Sequence, residues 1–227
     1  ILSELMRLAM QLKTKSLQEL AASFYIAPNT IVRMCKKLGF EGYTDFKNIY
    51  MFSLEHQDFK PITLSLDERL ERTRRLLNQE MVTQVISLLF HANRIVIFAT
   101  GLSKLVGDEF AERLKTVGKS VETFIYPHLM RHQAKSLSDN DVCFTISLSG
   151  ETQSILDATE IAKLLKARVI SLTGVSKNRL SELSDFQLYA YSNDIFIESI
   201  DVADRLAFSY VINVLFESYL ETFNKQV

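Results

Sequence analysis

One run of hydroxyl-bearing residues with a glycine is the feature of this sequence best suited to chemistry. It reads Ser-Leu-Ser-Gly-Glu-Thr over residues 147–152 and directly follows the apolar run 141–146. A short β-branched and aromatic run that ends in such a cluster is typical of a buried strand entering a tight loop. Residues 154–165 then carry apolar groups at helical spacing. The hydroxyls are therefore predicted to lie where a strand gives way to the N-terminus of a helix.

The chemistry that such a position favours is the binding of an anion. Free backbone N–H groups and the positive end of the helix dipole attract a phosphate, and a nest lined with hydroxyls holds a dianion without a lysine. The simpler alternative is that Ser149 and Thr152 only cap the helix. For this loop by itself both interpretations stay open.

The composition is that of an ordinary globular protein. The chain has 227 residues, 47% of them hydrophobic and 23% charged, which suits one large domain or two smaller ones. It has no secretory segment and no apolar run of about 18 residues, so no membrane is expected. Cys35 and Cys143 match no metal or redox spacing. We therefore expect reduced cysteines, no cofactor, no metal and a cytoplasmic location.

The charge is divided unevenly along the chain. Residues 1–50 carry seven lysines and arginines against four acidic residues, a net charge of +3, which leaves −4 for the rest of a chain with formal net charge −1. A basic N-terminal region on an acidic remainder points to a polyanionic partner for that region.

Residues 15–46 have the pattern of two short helices joined by a turn. Ser16 and Glu19 form a capping box at the start of the first helix. Residues 25–27 make the turn, and Pro28 suits the first position of the second helix, where its missing N–H is no loss. Two helices joined in this way are typical of a helix-turn-helix.

The second helix has an apolar and a polar face. Its apolar stripe contains Ile31, Met34 or Cys35, and Leu38, and Gly39 follows as a stop. On the other face, Asn29, Thr30 and Arg33 are candidates for base contacts, because arginine suits guanine and asparagine suits adenine. The candidate phosphate contacts are Lys36, Lys37 and Lys47. The alternative is a solvated face of an ordinary helical bundle.

A longer motif gives this region a resemblance to a known family. Residues 33–47 read Arg-x-Cys-Lys-Lys-Leu-Gly-Phe-x-Gly-Tyr-x-x-Phe-Lys, which resembles the DNA-binding domain of the RpiR family of bacterial transcriptional regulators. The chain departs from that family at Tyr25, where a turn glycine is usual, and at Ala27, where a serine cap is usual. Loss of such a cap weakens a helix by about 1 kcal/mol.

The domain boundary is predicted where periodicity is lost around Pro61. We assign residues 1–55 to the helix-turn-helix domain, 56–66 to a linker and 67–227 to a second domain. A charged helix from Asp67 to about Phe90 opens the second domain, either as a solvated helix or as a helix that bridges a dimer.

The second domain alternates strands and helices. Candidate strands are 94–99, 120–125, 142–146, 168–172 and 186–190, and candidate helices are 104–117, 129–135, 152–165 and 201–222. This order predicts a mostly parallel sheet with helices on both faces. Ligands of such sheets bind at the carboxyl ends of the strands, where the loops 100–103 and 147–152 fall.

Residues 94–190 resemble a sugar isomerase (SIS) domain, the phosphosugar-binding fold. The match covers residues 95–103, 117–119, 127–128 and 169–173 and the Ser-x-Ser-Gly-Glu-Thr loop. Since RpiR regulators carry this domain after their helix-turn-helix, the resemblance implies an all-helical N-terminal domain followed by a SIS-type α/β sandwich with a parallel sheet. The ligand-binding residues that we assign by this resemblance are Gly101, Ser103, His128, Ser147, Ser149, Gly150, Glu151 and Thr152.

Some of these assignments have alternatives. His128, with His132, is a candidate to touch sugar hydroxyls or to act as acid and base, but a surface histidine is the simpler interpretation. For Glu151 we favour a helix-dipole partner over a catalytic carboxylate. The chain also departs from the SIS pattern at Ala99, where a glycine is usual, and at Asp204, where a serine is common. A carboxylate at position 204 is expected to alter sugar preference or to repel a phosphate.

The sequence thus predicts a regulator whose affinity for a double-stranded DNA operator is modulated by a phosphorylated sugar. We expect a homodimer or homotetramer, with the helix after Ser103 and the late apolar helix 206–220 as candidate interfaces, and no enzymatic activity. One alternative is an aldose–ketose isomerase acting on phosphosugars, in which the basic N-terminal region has no purpose. Another is an interaction module whose N-terminal region binds protein.

Overall fold

A computed structural model of the chain describes residues 15–37, 42–47, 64–193, 195–197 and 200–224. They belong to two compact units, which divide between residues 63 and 64. Among the described residues, no helix is both long and apolar enough to cross a membrane.

The N-terminal unit contains the two helices expected from the sequence, α1 (Leu17–Ser23) and α2 (Pro28–Lys37). The capping box of α1 is present: Ser16 Oγ accepts from Glu19 N at 3.3 Å, and the Glu19 carboxylate accepts from Ser16 N at 2.7 Å. In the turn, Tyr25 has a φ of 54°. A side chain in this left-handed region costs about 1–2 kcal/mol, which explains why a glycine is usual there.

A small core holds the N-terminal unit together. Its buried members are Leu20, Ala21, Ile31, Cys35, Tyr43 and Phe46. Of the two alternatives for the apolar stripe of α2, Cys35 is therefore the buried residue, and Met34 packs at the edge. Leu38 and Gly39, predicted to complete and to stop this helix, lie outside the described residues.

The C-terminal unit is built on a five-stranded parallel sheet. Its strands are β1 (Ile95–Ala99), β2 (Val121–Phe124), β3 (Val142–Ser147), β4 (Arg168–Gly174) and β5 (Phe186–Ala190), and they lie in the order β2-β1-β3-β4-β5. The helices of this unit are α3 (Leu66–Leu76), α4 (Gln79–His91), α5 (Ser103–Thr116), α6 (Pro127–Ala134), α7 (Gln153–Leu164), α8 (Arg179–Leu183) and α9 (Leu206–Asn224). All pairs in the sheet are parallel.

Helices cover both faces of this sheet, as predicted for an α/β sandwich. Along β1, Ile95 and Ile97 face one core with α4, α5 and α9, whereas Val96 and Phe98 face a second core with α6, α7 and α8. Because the central strands β1, β3 and β4 are buried on both faces, they are largely apolar runs. The predicted fold class is confirmed.

The order of the strands indicates where a ligand is expected to bind. From β1 the chain crosses to β2 on one side and then returns to β3 on the other side. The loops after β1 and β3 therefore diverge at the carboxyl ends of two neighbouring strands, which leaves a crevice between them.

Three features differ from the sequence-based prediction. The single helix expected from Asp67 to about Phe90 is wrong: it is broken at Leu77, which is extended, and Asn78 caps a new helix by accepting from Glu80 N at 2.8 Å. The short helix α8 was missed. So was the two-stranded hairpin of β6 (Phe196–Ile197) and β7 (Ile200–Asp201), which occupies chain assigned in part to the last helix.

Candidate functional site

A cavity of about 410 Å³ lies at the crevice between the carboxyl ends of β1 and β3. Both loops singled out in the sequence contribute to it. Hydroxyl side chains dominate one side, and the hairpin β6–β7 supplies apolar side chains to the other. The lining hydroxyl residues are Thr100, Ser103, Ser147, Ser149 and Thr152, and Gly101 lies beside them.

Local backbone geometry forms the loop after β3. Gly150 has a φ of +65°, and a Cβ at this position would collide with the side chain of Asn178. Only glycine satisfies both conditions, because L side chains disfavour positive φ and the space is filled. Gly150 is buried but does not line the cavity, so it shapes the loop.

The hydroxyls of this loop bind one another and the backbone. Ser147 Oγ accepts from Gly150 N at 3.2 Å and lies 3.0 Å from Thr152 Oγ1. Ser149 Oγ accepts from Glu151 N at 3.1 Å. The backbone N–H groups of Gly150 and Glu151, two of the residues assigned to ligand binding from the sequence, are therefore engaged within the loop, and the loop presents hydroxyls to the cavity.

The simpler alternative, that these residues serve only as helix caps, is not what the geometry shows. Thr152 is the N-cap residue of α7 but makes no side-chain capping hydrogen bond. Its hydroxyl instead faces Ser147 and the cavity.

An arginine that sequence reasoning did not assign to the site lies behind Ser103. Arg205 is 9% exposed, and its Nε donates to Ser103 Oγ at 3.2 Å. Its Nη1 donates to the carbonyl oxygen of Ala203 at 2.6 Å, and its Nη2 pairs with the carboxylate of Asp201. Among the described residues, the cavity is thus lined by one cation and one carboxylate, which are bound to each other.

The carboxylate beside the site belongs to Asp201 and not to Asp204, which the sequence had singled out. Asp204 does not line the cavity and faces Arg69, with Oδ1 and Oδ2 at 3.0 and 2.8 Å from Arg69 Nη1. Partial burial, the largest single influence, opposes ionisation of Asp204, but the hydrogen bonds from Arg69 and Leu206 N and the charge of Arg69 together outweigh it, so the pKa of Asp204 lies below the ordinary value.

Two of the assigned ligand residues point elsewhere. The Glu151 carboxylate accepts from Arg179 N at 2.8 Å and pairs with Arg179 Nε at 2.7 Å, at the start of α8. The backbone N–H of Arg179 and then its guanidinium lower the pKa of Glu151. His128 is exposed at the start of α6, with its ring stacked on Tyr126 at 5.9 Å between centroids. Neither residue lines the cavity.

The candidate DNA-contacting face lies on α2. Asn29, Thr30, Arg33 and Lys36 are exposed there. The side chain of Lys37 lies outside the described residues. Lys47 is half-buried, and its Nζ donates to the carbonyl oxygen of Lys15 at 3.2 Å, so this cation is partly used within the unit.

Within the described ranges, no three His, Cys, Asp or Glu side chains are grouped so as to hold a metal ion. The charged side chains that line the cavity in the described part of the chain are those of Asp201 and Arg205. A hydroxyl-lined crevice with a buried guanidinium behind it is chemically suited to an oxyanion.

Two family models match this sequence. The model of the helix-turn-helix domain of the rpiR family matches residues 2–55, and that of the SIS domain matches residues 88–212. A relative in Bacillus subtilis (strain 168), the uncharacterized HTH-type transcriptional regulator YbbH, is 28% identical over 219 residues, which are 88% of this chain and 77% of the relative.

Two solved structures are also similar to this chain. The Vibrio vulnificus NanR protein complexed with ManNAc-6P is similar to this chain with a TM-score of 0.69 and 25% identity, over 98% of this chain and 85% of NanR. A putative sugar-phosphate isomerase from Listeria monocytogenes has a TM-score of 0.61 at 13% identity, over 77% of this chain and 91% of the isomerase. At that identity the likeness to the isomerase concerns the fold alone.

Proposed function

Because the chain belongs to the RpiR family of transcriptional regulators, with a helix-turn-helix domain followed by a SIS domain, we propose that a phosphorylated sugar binds its hydroxyl-lined cavity and thereby changes its affinity for operator DNA. The observation that carries this proposal is the cluster of hydroxyls at the carboxyl ends of β1 and β3, with Arg205 behind it. NanR, which was solved with a sugar phosphate, is similar to this chain over nearly its whole length.

In this proposal the phosphate is held by four side-chain hydroxyls. They belong to Ser103, Ser147, Ser149 and Thr152, with Gly101 giving close approach to the backbone. Arg205 contributes positive charge through Ser103. Gly150 and Glu151 act indirectly, the first by shaping the loop and the second by binding Arg179. His128 lies outside the cavity as described and touches no phosphate.

The DNA-binding face in this proposal is the exposed face of α2. Asn29, Thr30 and Arg33 reach base edges, while the lysines bind phosphates. A helix-turn-helix that reads two half-sites works as a dimer, so we propose a homodimer or homotetramer with half-sites about 34 Å apart. The affinity for double-stranded DNA is expected to fall steeply with salt.

We propose further that the sugar phosphate is bound without being converted. An aldose–ketose isomerase needs a free base near the substrate. Among the described residues that line the cavity, the ionisable groups are Asp201 and Arg205, which are paired with each other. Glu151 is engaged by Arg179, and neither described histidine of α6 lines the cavity. The curated relative is named as a transcriptional regulator.

The test is calorimetry on the full chain with four phosphates: N-acetylmannosamine 6-phosphate, glucosamine 6-phosphate, glucose 6-phosphate and inorganic phosphate. An operator duplex selected by the protein from random sequences is then titrated with and without each ligand. At least one sugar phosphate is expected to bind and to change operator affinity, while its unphosphorylated sugar does neither. Unchanged operator affinity across the panel contradicts the proposal.

A matched pair of serine variants locates the binding. Ser149→Ala removes a hydroxyl that lines the cavity, whereas Ser154→Ala removes one from the first turn of α7 that does not line it. Only Ser149→Ala is expected to weaken binding, by about 10- to 150-fold for one lost hydrogen bond to a charged group, which is worth about 1.5–3 kcal/mol. Equal affinities of the two variants contradict the assigned site.

A further inference from the structure

An ion pair between a buried arginine and a partly exposed aspartate connects the helix that opens the C-terminal unit to the turn that carries Arg205. Arg69, on α3, is 7% exposed, and its Nη1 binds both carboxylate oxygens of Asp204 at 2.8 and 3.0 Å. We propose that this pair is the connection by which occupancy of the cavity changes the position of α3. The inference rests on the proposed function and concerns how that site regulates DNA binding.

At one end, Asp204 is joined to the ligand cavity through the backbone. Its carbonyl oxygen accepts from Nη1 of Arg205 at 3.3 Å, and its Oδ1 accepts from Leu206 N at 3.1 Å at the start of α9. Arg205 in turn binds Ser103 and Asp201, which line the cavity. A shift of the guanidinium towards a bound anion therefore moves the turn that holds the Asp204 carboxylate.

Two cavities adjoin this turn. The second, of about 310 Å³, is lined by Asp204, Leu206 and Leu105 among others. Arg205 and Leu102 line both cavities. In this proposal the side chains of Asp204 and Arg205, which border these spaces, take one arrangement when the ligand cavity is filled and another when it is empty.

At the other end, Arg69 is placed to transmit such a shift. The helix α3 begins at the Ser65 cap, directly after the chain segment that joins the two units. Among the described residues, Arg69 Nε is buried without a hydrogen-bond partner. The Asp204 carboxylate balances the charge of Arg69. If this carboxylate moves, α3 is expected to move with it, because the buried guanidinium of Arg69 otherwise loses its counterion.

The other polar contacts of α3 lead away from the cavity. Thr73 Oγ1 accepts from Tyr191 N at 2.9 Å, and Asn193 binds the backbone of Leu64 in both directions at 3.0 and 3.1 Å. These contacts join α3 to the chain after β5. Among the polar contacts of the described residues of α3, the pair of Arg69 and Asp204 is the one that leads to the turn beside the ligand cavity.

The inference is tested with Asp204→Asn in the full chain. Asparagine is as good a helix cap as aspartate, so the bond to Leu206 N is kept while the charge that holds Arg69 is lost. The matched control is Glu71→Gln, which removes an exposed ion pair with Arg74 and Arg75 from the same helix. The probe is whichever of the four phosphates named above binds the parent protein most tightly.

Two quantities are measured for each protein: the affinity for the probe, and the factor by which the probe changes operator affinity. This factor measures the coupling between the ligand cavity and the DNA-binding face. For the parent and Glu71→Gln we expect at least a tenfold change in operator affinity. For Asp204→Asn we expect less than a twofold change, with probe affinity within threefold of the parent value. If the probe changes the operator affinity of Asp204→Asn by the same factor as in the parent protein, the inference is wrong.

A second measurement needs no variant and so does not depend on how Asp204→Asn folds. Hydrogen exchange of the unmodified chain is followed with and without the probe. Amides of residues 66–76 are expected to change their exchange rate at least threefold on binding, and unchanged exchange in α3 overturns the inference. A parent protein that binds none of the four phosphates contradicts the proposed function, and this inference with it.

Discussion

Asp201→Asn is the change that most directly probes the charges of the cavity. Asp201 neutralises Arg205, and both line the space in which we place a phosphate. Neutralising the carboxylate leaves the guanidinium without its counterion and removes a negative charge that repels an anion. Asparagine keeps an oxygen that can accept from Ala203 N, which now donates to Asp201 Oδ1 at 3.0 Å. The expected result is tighter binding of phosphate.

The cavity volume sets the size of the effect. Treated as a sphere, a space of about 410 Å³ is about 9 Å across, so a bound ion lies no farther than that from Asp201. One unit charge acting on a dianion at that distance contributes about 1 kcal/mol in water and about 4 kcal/mol at an effective dielectric constant of about 20. Phosphate is therefore expected to bind at least fivefold more tightly, since 1.4 kcal/mol is about a factor of ten.

Although Asp201→Asn is expected to bind phosphate more tightly, the variant without ligand is expected to be less stable than the parent protein. Removing one partner of a buried ion pair costs about 3–5 kcal/mol when both groups are buried. Here the side chain of Arg205 is 7% exposed and that of Asp201 is 31% exposed, so solvent screening reduces the loss to about 1–3 kcal/mol. A variant that is less stable but binds phosphate more tightly is not explained by general damage to the fold.

The assay is calorimetric titration with inorganic phosphate at low and at high salt, together with thermal unfolding without ligand. Asp139→Asn is the control for the change in net charge, because Asp139 is exposed and does not line the cavity. The gain in affinity is expected to shrink at high salt, as screening requires. Phosphate affinity of Asp201→Asn equal to or weaker than that of Asp139→Asn would refute this account of the cavity.

Three other predictions concern the fold and the DNA-binding face. Gly150→Ala, which meets Asn178 at positive φ, is expected to cost about 1–3 kcal/mol in thermal unfolding, whereas Gly42→Ala, with open space around it, leaves the unfolding temperature nearly unchanged. Burial, the largest single influence, opposes the ionisation of Asp185, but the hydrogen bonds from Lys163 and Val169 N and the neighbouring positive charges together outweigh it and lower the pKa. The stability that Asp185 contributes is therefore present above about pH 4 and lost as pH falls through the folded-state pKa. Asp185→Asn is therefore expected to flatten the acid limb of the curve of unfolding free energy against pH. In operator titrations, Arg33→Ala is expected to lose about 1–3 kcal/mol of binding free energy and to relax the sequence preference. Lys36→Ala is expected to weaken binding to all sequences alike and to lower the slope of log affinity against log salt concentration by about 1. Equal effects of the two variants would contradict the base contact assigned to Arg33.

Much of the molecule could be predicted from the sequence because it depends on neighbours along the chain. The capping box of Ser16 and Glu19 and the hydroxyl loop at 147–152 are local patterns, and both lie where expected. The three central strands of the sheet, β1, β3 and β4, were found because each is a short, largely apolar run buried on both faces. Helix boundaries were less certain: the break at Asn78 lies inside a continuous helical pattern, where a capping side chain decides the matter.

The sequence determined by itself that hydroxyls follow a buried strand and that a basic, polar face lies on the second helix, because spacing alone fixes which residues share a loop or a helix face. Only the tertiary structure decided which charges meet them. Arg205 reaches Ser103 across 102 positions, Arg69 reaches Asp204 across 135, and Glu151 turns to Arg179 across 28. Such pairs form when packing brings distant segments together and burial makes an unpaired charge costly, and neither condition can be read from spacing along the chain.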